Sequence, residues 1–436
     1  MSGQKSAEER AGAEPGRDSL RAHPRFLRVW AGQASGAVGD QLLPVALSLY
    51  ILHRGGGAGE VGLVLGGRAV SLVVCLLAGG VLADRMRRTR ILFAADLFRA
   101  GILLLAALLL PVVPLAALPL LTTLTGAGEA LSRPAARSLV PTLLPDSLLE
   151  RGNALVAGAH RSSAVLGALS GVSLVALVGV RPALFLASLV FALGALTVLR
   201  VPDRAPAPAA GQDRRSVLAE AAYGLRAVRG QPWAMAVMAT VCLHLFAGSA
   251  TALTLLPVVS RQHFGGDVAY GVVLSAMAIG ALPALALAGR WRPRLPGTVS
   301  MLILTLYGLV PLSLAAPFPL PWVIVCFALG GFVVELYFVY WATALQRAFP
   351  SDALGKVFAL DQLSAYALLP LGYALVGPMV STAGTTGTLV GGGLVVVASS
   401  LLCLAVPGVA RLGAQPEKDS SAVAPEAPLP AGSPGA

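Results

Sequence analysis

Long apolar segments dominate this chain, and they decide its solvent. An α-helix rises 1.5 Å per residue, so about 20 predominantly apolar residues reach across a bilayer. Twelve segments meet that length: 26–52, 61–83, 91–110, 115–133, 154–180, 182–201, 233–260, 270–289, 298–316, 320–345, 357–380 and 387–409. Only 12% of the residues are charged and 56% are hydrophobic, against about 25% charged in soluble domains. The expected class is an all-α integral membrane protein.

The charges between these segments set an orientation. One set of alternate loops is strongly basic: Arg85, Arg87, Arg88 and Arg90, then Arg290, Arg292 and Arg294, then Arg347 and Lys356, then Arg411. The other set holds only Arg54, Arg181 and Arg261 as basic residues. Basic loops stay in the cytoplasm, so both termini are expected there, in a multi-pass cell-membrane protein. This pattern also explains the net charge of +11 without nucleic acid. Basic residues that come in small clusters between apolar runs are topology signals rather than a nucleic-acid surface. The cationic residues are almost all Arg, with Lys only at 5, 356 and 418, a bias that hints at a GC-rich bacterial genome.

The chain divides into five parts. Residues 1–25 are polar and of mixed charge, without the apolar core of a signal peptide, and read as a disordered cytoplasmic tail. Residues 26–201 make a first six-helix bundle. Residues 202–232, with Pro202, Pro206 and Pro208 and then Arg214, Arg215, Arg226 and Arg229, read as a cytoplasmic linker. Residues 233–410 make a second bundle. Residues 411–436, rich in Pro, Ala, Glu and Ser, read as a second disordered tail. An internal echo supports two parallel halves. The segment Pro145–Leu155 matches Pro350–Leu360 at its Pro, Leu, basic, Ala and Leu positions, and each copy follows the fourth helix of its half.

The most specific motif lies between the second and third segments: Gly80-Val81-Leu82-Ala83-Asp84-Arg85-Met86-Arg87-Arg88-Thr89-Arg90. Gly80 lets neighbouring helices approach closely. Asp84 can pair with Arg88 four residues on, or with a basic partner on another helix. Such a pair can latch one conformation and release in another. The plainer reading is a cluster that only sets topology. This loop resembles that of the major facilitator superfamily, although Arg87 stands where the family has glycine. A reduced second copy, Gly289-Arg290-Trp291-Arg292-Pro293-Arg294, lacks the Asp.

The resemblance runs over roughly 24–410. It looks most like the enterobactin-exporter-like and macrolide-efflux-like branch. The carrying segments are Trp30-Ala31-Gly32-Gln33 with Gly39-Asp40, Ala95-Asp96-Leu97-Phe98-Arg99, Arg133-Pro134-Ala135, Asn153-Ala154-Leu155, Leu354-Gly355-Lys356-Val357 and Pro370-Leu371-Gly372. The resemblance implies a twelve-helix bundle of two six-helix halves. It also implies proton-driven efflux of amphipathic small molecules such as drugs, antibiotics, siderophores or secondary metabolites. One departure concerns the fifth helix. Where the family's antiporter motif has a Gly-Pro pair, this chain reads Leu166-Gly167-Ala168-Leu169-Ser170-Gly171, with no proline. An importer or lipid flippase on the same fold, and a receptor that transports nothing, are the alternatives.

Ionisable residues inside apolar segments are costly and mark function by default. Asp40 falls near the middle of the first segment, as a protonation site or substrate contact, with Arg68 as a structural partner in the alternative. Asp96 and Arg99, three apart, read as a local ion pair. Glu129 and Arg133, four apart, make another favourable pair. Glu335 sits mid-segment with no basic residue within four positions. It occupies nearly the same place in the second half as Glu129 in the first, so the two are expected to face a common cavity. A carboxyl there can carry a proton. Asp361, near a segment end, reads as a solvated charge.

Cys75, Cys242, Cys326 and Cys403 lie singly in apolar runs, without metal spacing, and read as small apolar filler. His160, His244 and His263 are equally scattered. No HExxH, GxSxG or Walker loop occurs in context. The expectation is therefore a transporter rather than an enzyme. It is expected to need no cofactor or metal, to sit among membrane lipid and to act as a monomer, and the resemblance implies protons and a small-molecule substrate as its partners.

Overall fold

The computed structural model describes residues 19–412 except 200, 202, 204–224, 227 and 292, and leaves the side chains of 76–85, 146, 150, 289 and 351–353 aside. The first half contains α1 (Pro24–His53), α2 (Ala58–Arg85), α3 (Arg88–Leu109), α4 (Leu118–Leu143), α5 (Asp146–Val178) and α6 (Val180–Val198). The second contains α7 (Pro232–His263), α8 (Asp267–Arg290), α9 (Pro296–Leu312), α10 (Leu320–Ala348), α11 (Ser351–Ala367) and α12 (Leu369–Cys403). Prolines open several of them, at Pro24, Pro119, Pro232 and Pro321. A first-turn proline loses no hydrogen bond and pre-sets the helical φ.

The last two helices do not each make one crossing. Gly384 interrupts α12 with φ +71°, a left-handed geometry that favours glycine. Before it, α11 and the first part of α12 run to the end of the bundle where Thr386 donates to the Ala315 carbonyl at 3.0 Å. After it, the chain returns to the linker end, where Gly408 meets Trp233. Nine stretches among the described residues are long and apolar enough to cross a membrane. That total treats 354–403 as one stretch and omits the shorter α9 and the charge-bearing α4, which accounts for its difference from twelve.

Two boundaries differ from the sequence expectation. Residues 20–25 are ordered rather than tail: Ser19 accepts a hydrogen bond from the Arg21 amide, capping a 3₁₀ turn at Leu20–Ala22, and α1 begins at Pro24. Helix α4 runs on to Leu143 through Pro134 and Pro141, beyond the 115–133 segment. Arg133 and Arg137 break the apolar run there, so apolarity alone missed it.

The halves meet at the end away from the linker. Gly377 of α12 approaches α2 so closely that a Cβ on it would lie 2.7 Å from the Gly59 Cα. Gly271 of α8 is as tightly set against α5, where a Cβ on it would lie 2.8 Å from a Val172 methyl. Small residues permit such contacts. His53 of α1 also pairs with Asp267 of α8 at 2.9 Å. A cavity lies between the halves at the depth of Arg68 and Tyr307.

Candidate functional site: a buried charge belt beside a central cavity

Six ionised side chains of the first half form two three-membered networks at mid-depth. In the first, Arg99 of α3 donates from Nη1 to Asp40 Oδ1 and Oδ2 at 2.8 and 3.0 Å, and from Nη2 to Asp96 Oδ1. Gln33 Nε2 donates to Asp96 Oδ2 at 3.2 Å. The guanidinium lies over the Phe191 ring, 4.2 Å from its centre, a cation–π arrangement. Gly128 of α4 leaves room for the Arg99 side chain. Arg99 and Asp96 are buried; Asp40 retains 19% side-chain exposure.

The second network joins α2 and α4. Arg68 grips Glu129 through two parallel bonds, Nε to Oε2 at 2.8 Å and Nη2 to Oε1 at 2.9 Å, the bidentate geometry that strengthens such pairs. Arg133 Nη2 donates to the same Oε1, and Gln41 Oε1 accepts from Arg68 Nη2 at 3.3 Å. The two networks have opposite surpluses. Two carboxylates share Arg99, while two guanidiniums share Glu129.

A third pair crosses between the halves: Arg161 of α5 with Glu335 of α10. The spacing argument found no partner for Glu335 because this partner comes from the other half. The only sequence signal was a lone Arg inside the apolar run 154–180.

Several expectations change. Asp40 pairs with Arg99, not Arg68, because α3 rather than α2 presents a guanidinium to it. Asp96 and Arg99 do pair locally, but as part of the larger network. Glu129 and Glu335 do not form the wall of a shared cavity. Their side chains are only 3% and 6% exposed, each is paired with arginine, and neither lines the central cavity. Asp361 is buried rather than solvated; it accepts from Trp341 Nε1 at 3.0 Å. In the loop motif, the side chains of Gly80, Asp84 and Arg85 lie outside the described residues. Arg88 opens α3, and its Nε has no hydrogen-bond partner among the described residues.

The central cavity, about 360 Å³, is bounded by Arg68 and Arg133 from the first half and by tyrosines, His244 and apolar side chains from the second. A smaller space of about 90 Å³ opens beside Asp40, Arg99, Arg133 and His160. Arg133 borders both. On the second-half side, the chain forms a π-helical turn at His244–Ser249, a feature often found at functional sites. Ser249 and the Tyr307 hydroxyl are 2.7 Å apart, and His244 Nε2 lies 3.2 Å from the Val396 carbonyl and 3.0 Å from Ser400 Oγ. Among the described residues, no group of His, Cys, Asp or Glu is arranged to hold a metal.

The comparisons agree with this architecture. The multidrug efflux pump Tap of Mycobacterium tuberculosis is 27% identical over 91% of this chain and 96% of its own length. Macrolide efflux protein A of Streptococcus pyogenes is 24% identical over 89% and 97%. The enterobactin exporter EntS of Escherichia coli is 28% identical over 89% and 93%. Among solved structures, the nucleoside transporter NupG superposes with a TM-score of 0.68 at 11% identity, covering 87% of this chain and 99% of that one. A peptide transporter POT structure gives 0.67 at 16% identity, over 89% and 95%. These two similarities carry the fold alone. The sequence profile of the Major Facilitator Superfamily matches residues 29–372, and the chain belongs to that superfamily of membrane transporters.

Proposed function

We propose that this protein is a proton-coupled exporter of amphipathic small molecules, working by alternating access as a monomer in a bacterial cell membrane. The linker end, with its basic loops, is the cytoplasmic end. The far end, where the halves meet and His53 pairs with Asp267, is the closed extracytoplasmic side. The efflux relatives support the direction of transport.

The observation that carries the coupling is the pair of carboxylates on one guanidinium. Asp40 and Asp96 share Arg99 away from bulk water. An unbalanced charge in such a place is costly. A proton on Asp40 relieves it and leaves Asp96 paired. Asp40 is the more exposed of the two and borders the smaller space, so a proton can reach it. Arg161 and Glu335 belong to opposite halves. Rocking of the halves separates them, which ties the protonation balance to conformation. The Gly80–Arg90 loop acts as the cytoplasmic latch in this scheme, through Asp84 with Arg85 and Arg88.

Everted vesicles energised by a proton gradient test the reading. Wild-type vesicles should accumulate a fluorescent amphipathic substrate and discharge it when the gradient collapses. Asp40→Asn should reach the membrane normally, lose at least tenfold in rate, and lose the pH dependence of what remains. Full transport by that variant with an unchanged pH profile would place the coupling proton elsewhere, and Glu129 would be the next carboxylate to change.

A further inference from the structure

Resting on the transport reading above, we propose that the central cavity selects small organic anions that carry an aromatic body, and rejects cations of the same shape.

Charge placement is the first argument. Both charged side chains bordering the cavity, Arg68 and Arg133, are cations, and no carboxylate borders it among the described residues. Glu129, which holds both arginines, is only 3% exposed and spends both oxygens on them. The Asp40, Asp96 and Arg99 network does not border this cavity. Glu335 pairs with Arg161 and does not border the cavity. A ligand in the cavity therefore meets guanidinium before it meets any acid, and the local network of two arginines on one carboxylate carries a surplus positive charge.

Donor supply is the second argument. Arg133 uses Nη2 for Glu129, and neither its Nε nor its Nη1 makes a hydrogen bond among the described residues. Its side chain is 39% exposed. A planar fork with free N–H groups matches a carboxylate or sulfonate better than any neutral acceptor.

The opposite wall supplies the third argument. Tyr307, Tyr337, Tyr366 and Tyr373 line the cavity from the second half. Their rings give flat apolar surface and their hydroxyls give polar tips. Aromatic faces also attract cations. Here the facing guanidiniums repel a cation in the same volume, so the sign of the first-half wall decides.

The test uses purified protein in phosphatidylcholine nanodiscs with no gradient, so its outcome is independent of whether the protein pumps. The probes are 2-naphthalenesulfonate and the 2-naphthyltrimethylammonium ion, titrated by calorimetry. The sulfonate should bind at least tenfold more tightly, and its affinity should fall as salt rises. Arg133→Gln should remove most of that preference, and Arg133→Lys should keep part of it. Glu129 stays paired with Arg68 in both variants, and unchanged thermal unfolding confirms an intact fold. Equal or tighter binding of the cation overturns the proposal. So does sulfonate binding that Arg133→Gln leaves unchanged. Loss of sulfonate binding when phosphatidylglycerol replaces part of the phosphatidylcholine also overturns it, because the site would then belong to a lipid headgroup.

Discussion

The two halves of this molecule treat mid-depth polarity differently. The first half sets six charged side chains, with Asp96, Arg99 and Glu129 buried, in two networks joining α1, α2, α3 and α4. At comparable depth, the second half uses mainly neutral groups: His244 with Ser400 and the Val396 carbonyl, and Ser249 with Tyr307. Among the described residues its two buried acids are exceptions of different kinds. Glu335 takes its cation from the first half, and Asp361 takes a neutral donor from Trp341. Two halves of one fold have thus separated charge handling from the aromatic, hydroxyl-bearing wall. The difference teaches that equivalent helices need not carry equivalent chemistry. Glu129 in α4 is sealed within its own half, whereas Glu335 in α10 ties the halves together.

The largest effect should come from Arg99→Ala, which leaves Asp40 and Asp96 without their shared cation. Removing one partner from a buried ionic network typically costs about 3–5 kcal/mol. The protein should lose most of its folded yield, measured by fluorescence size-exclusion after mild detergent extraction. Recovery of yield by the compensating Asp40→Asn, Asp96→Asn background would sharpen the assignment. Wild-type yield from Arg99→Ala alone would break the contrast between the halves.

A smaller effect belongs to the pair that joins them. Arg161→Gln and Glu335→Gln, singly and together, should show a coupling of roughly 0.5–3 kcal/mol in thermal unfolding. The double variant should be less impaired than the sum of the singles, because each single strands one charge of the pair and the double strands none. Strict additivity would mean that the pair contributes nothing across the interface.

The smallest effect is expected in the second half. His244→Phe removes neutral hydrogen bonds to Val396 and Ser400 while keeping an aromatic ring beside Tyr307. The net loss should be about 1 kcal/mol. A loss as large as that of Arg99→Ala would show that the neutral wall is as critical as the ionic one.

Much of the fold was legible in the sequence because lipid imposes a length and an apolarity that a chain cannot hide. Helix α4 was the least complete, since Glu129, Arg133 and Arg137 lower the apolarity of its second half. The site was legible in part. Asp40, Arg68, Asp96, Arg99, Glu129 and Glu335 all stood out as ionisable residues in apolar runs. Spacing along one helix recovered the Asp96–Arg99 and Glu129–Arg133 pairs, because i,i+3 and i,i+4 neighbours share a helix face.

The sequence by itself determined the solvent, the helical class, the division into two halves and the superfamily, all of which follow from local apolarity, loop charge and short motifs. Only the tertiary structure decided which ions meet. Arg68 reaches Glu129 and not Asp40, Arg99 reaches Asp40, and Arg161 reaches Glu335 across the two halves. The physical reason is that an ion pair forms within about 4 Å, and helix packing brings together at that distance residues that the chain separates by dozens of positions or more. No periodicity within a single segment records that juxtaposition.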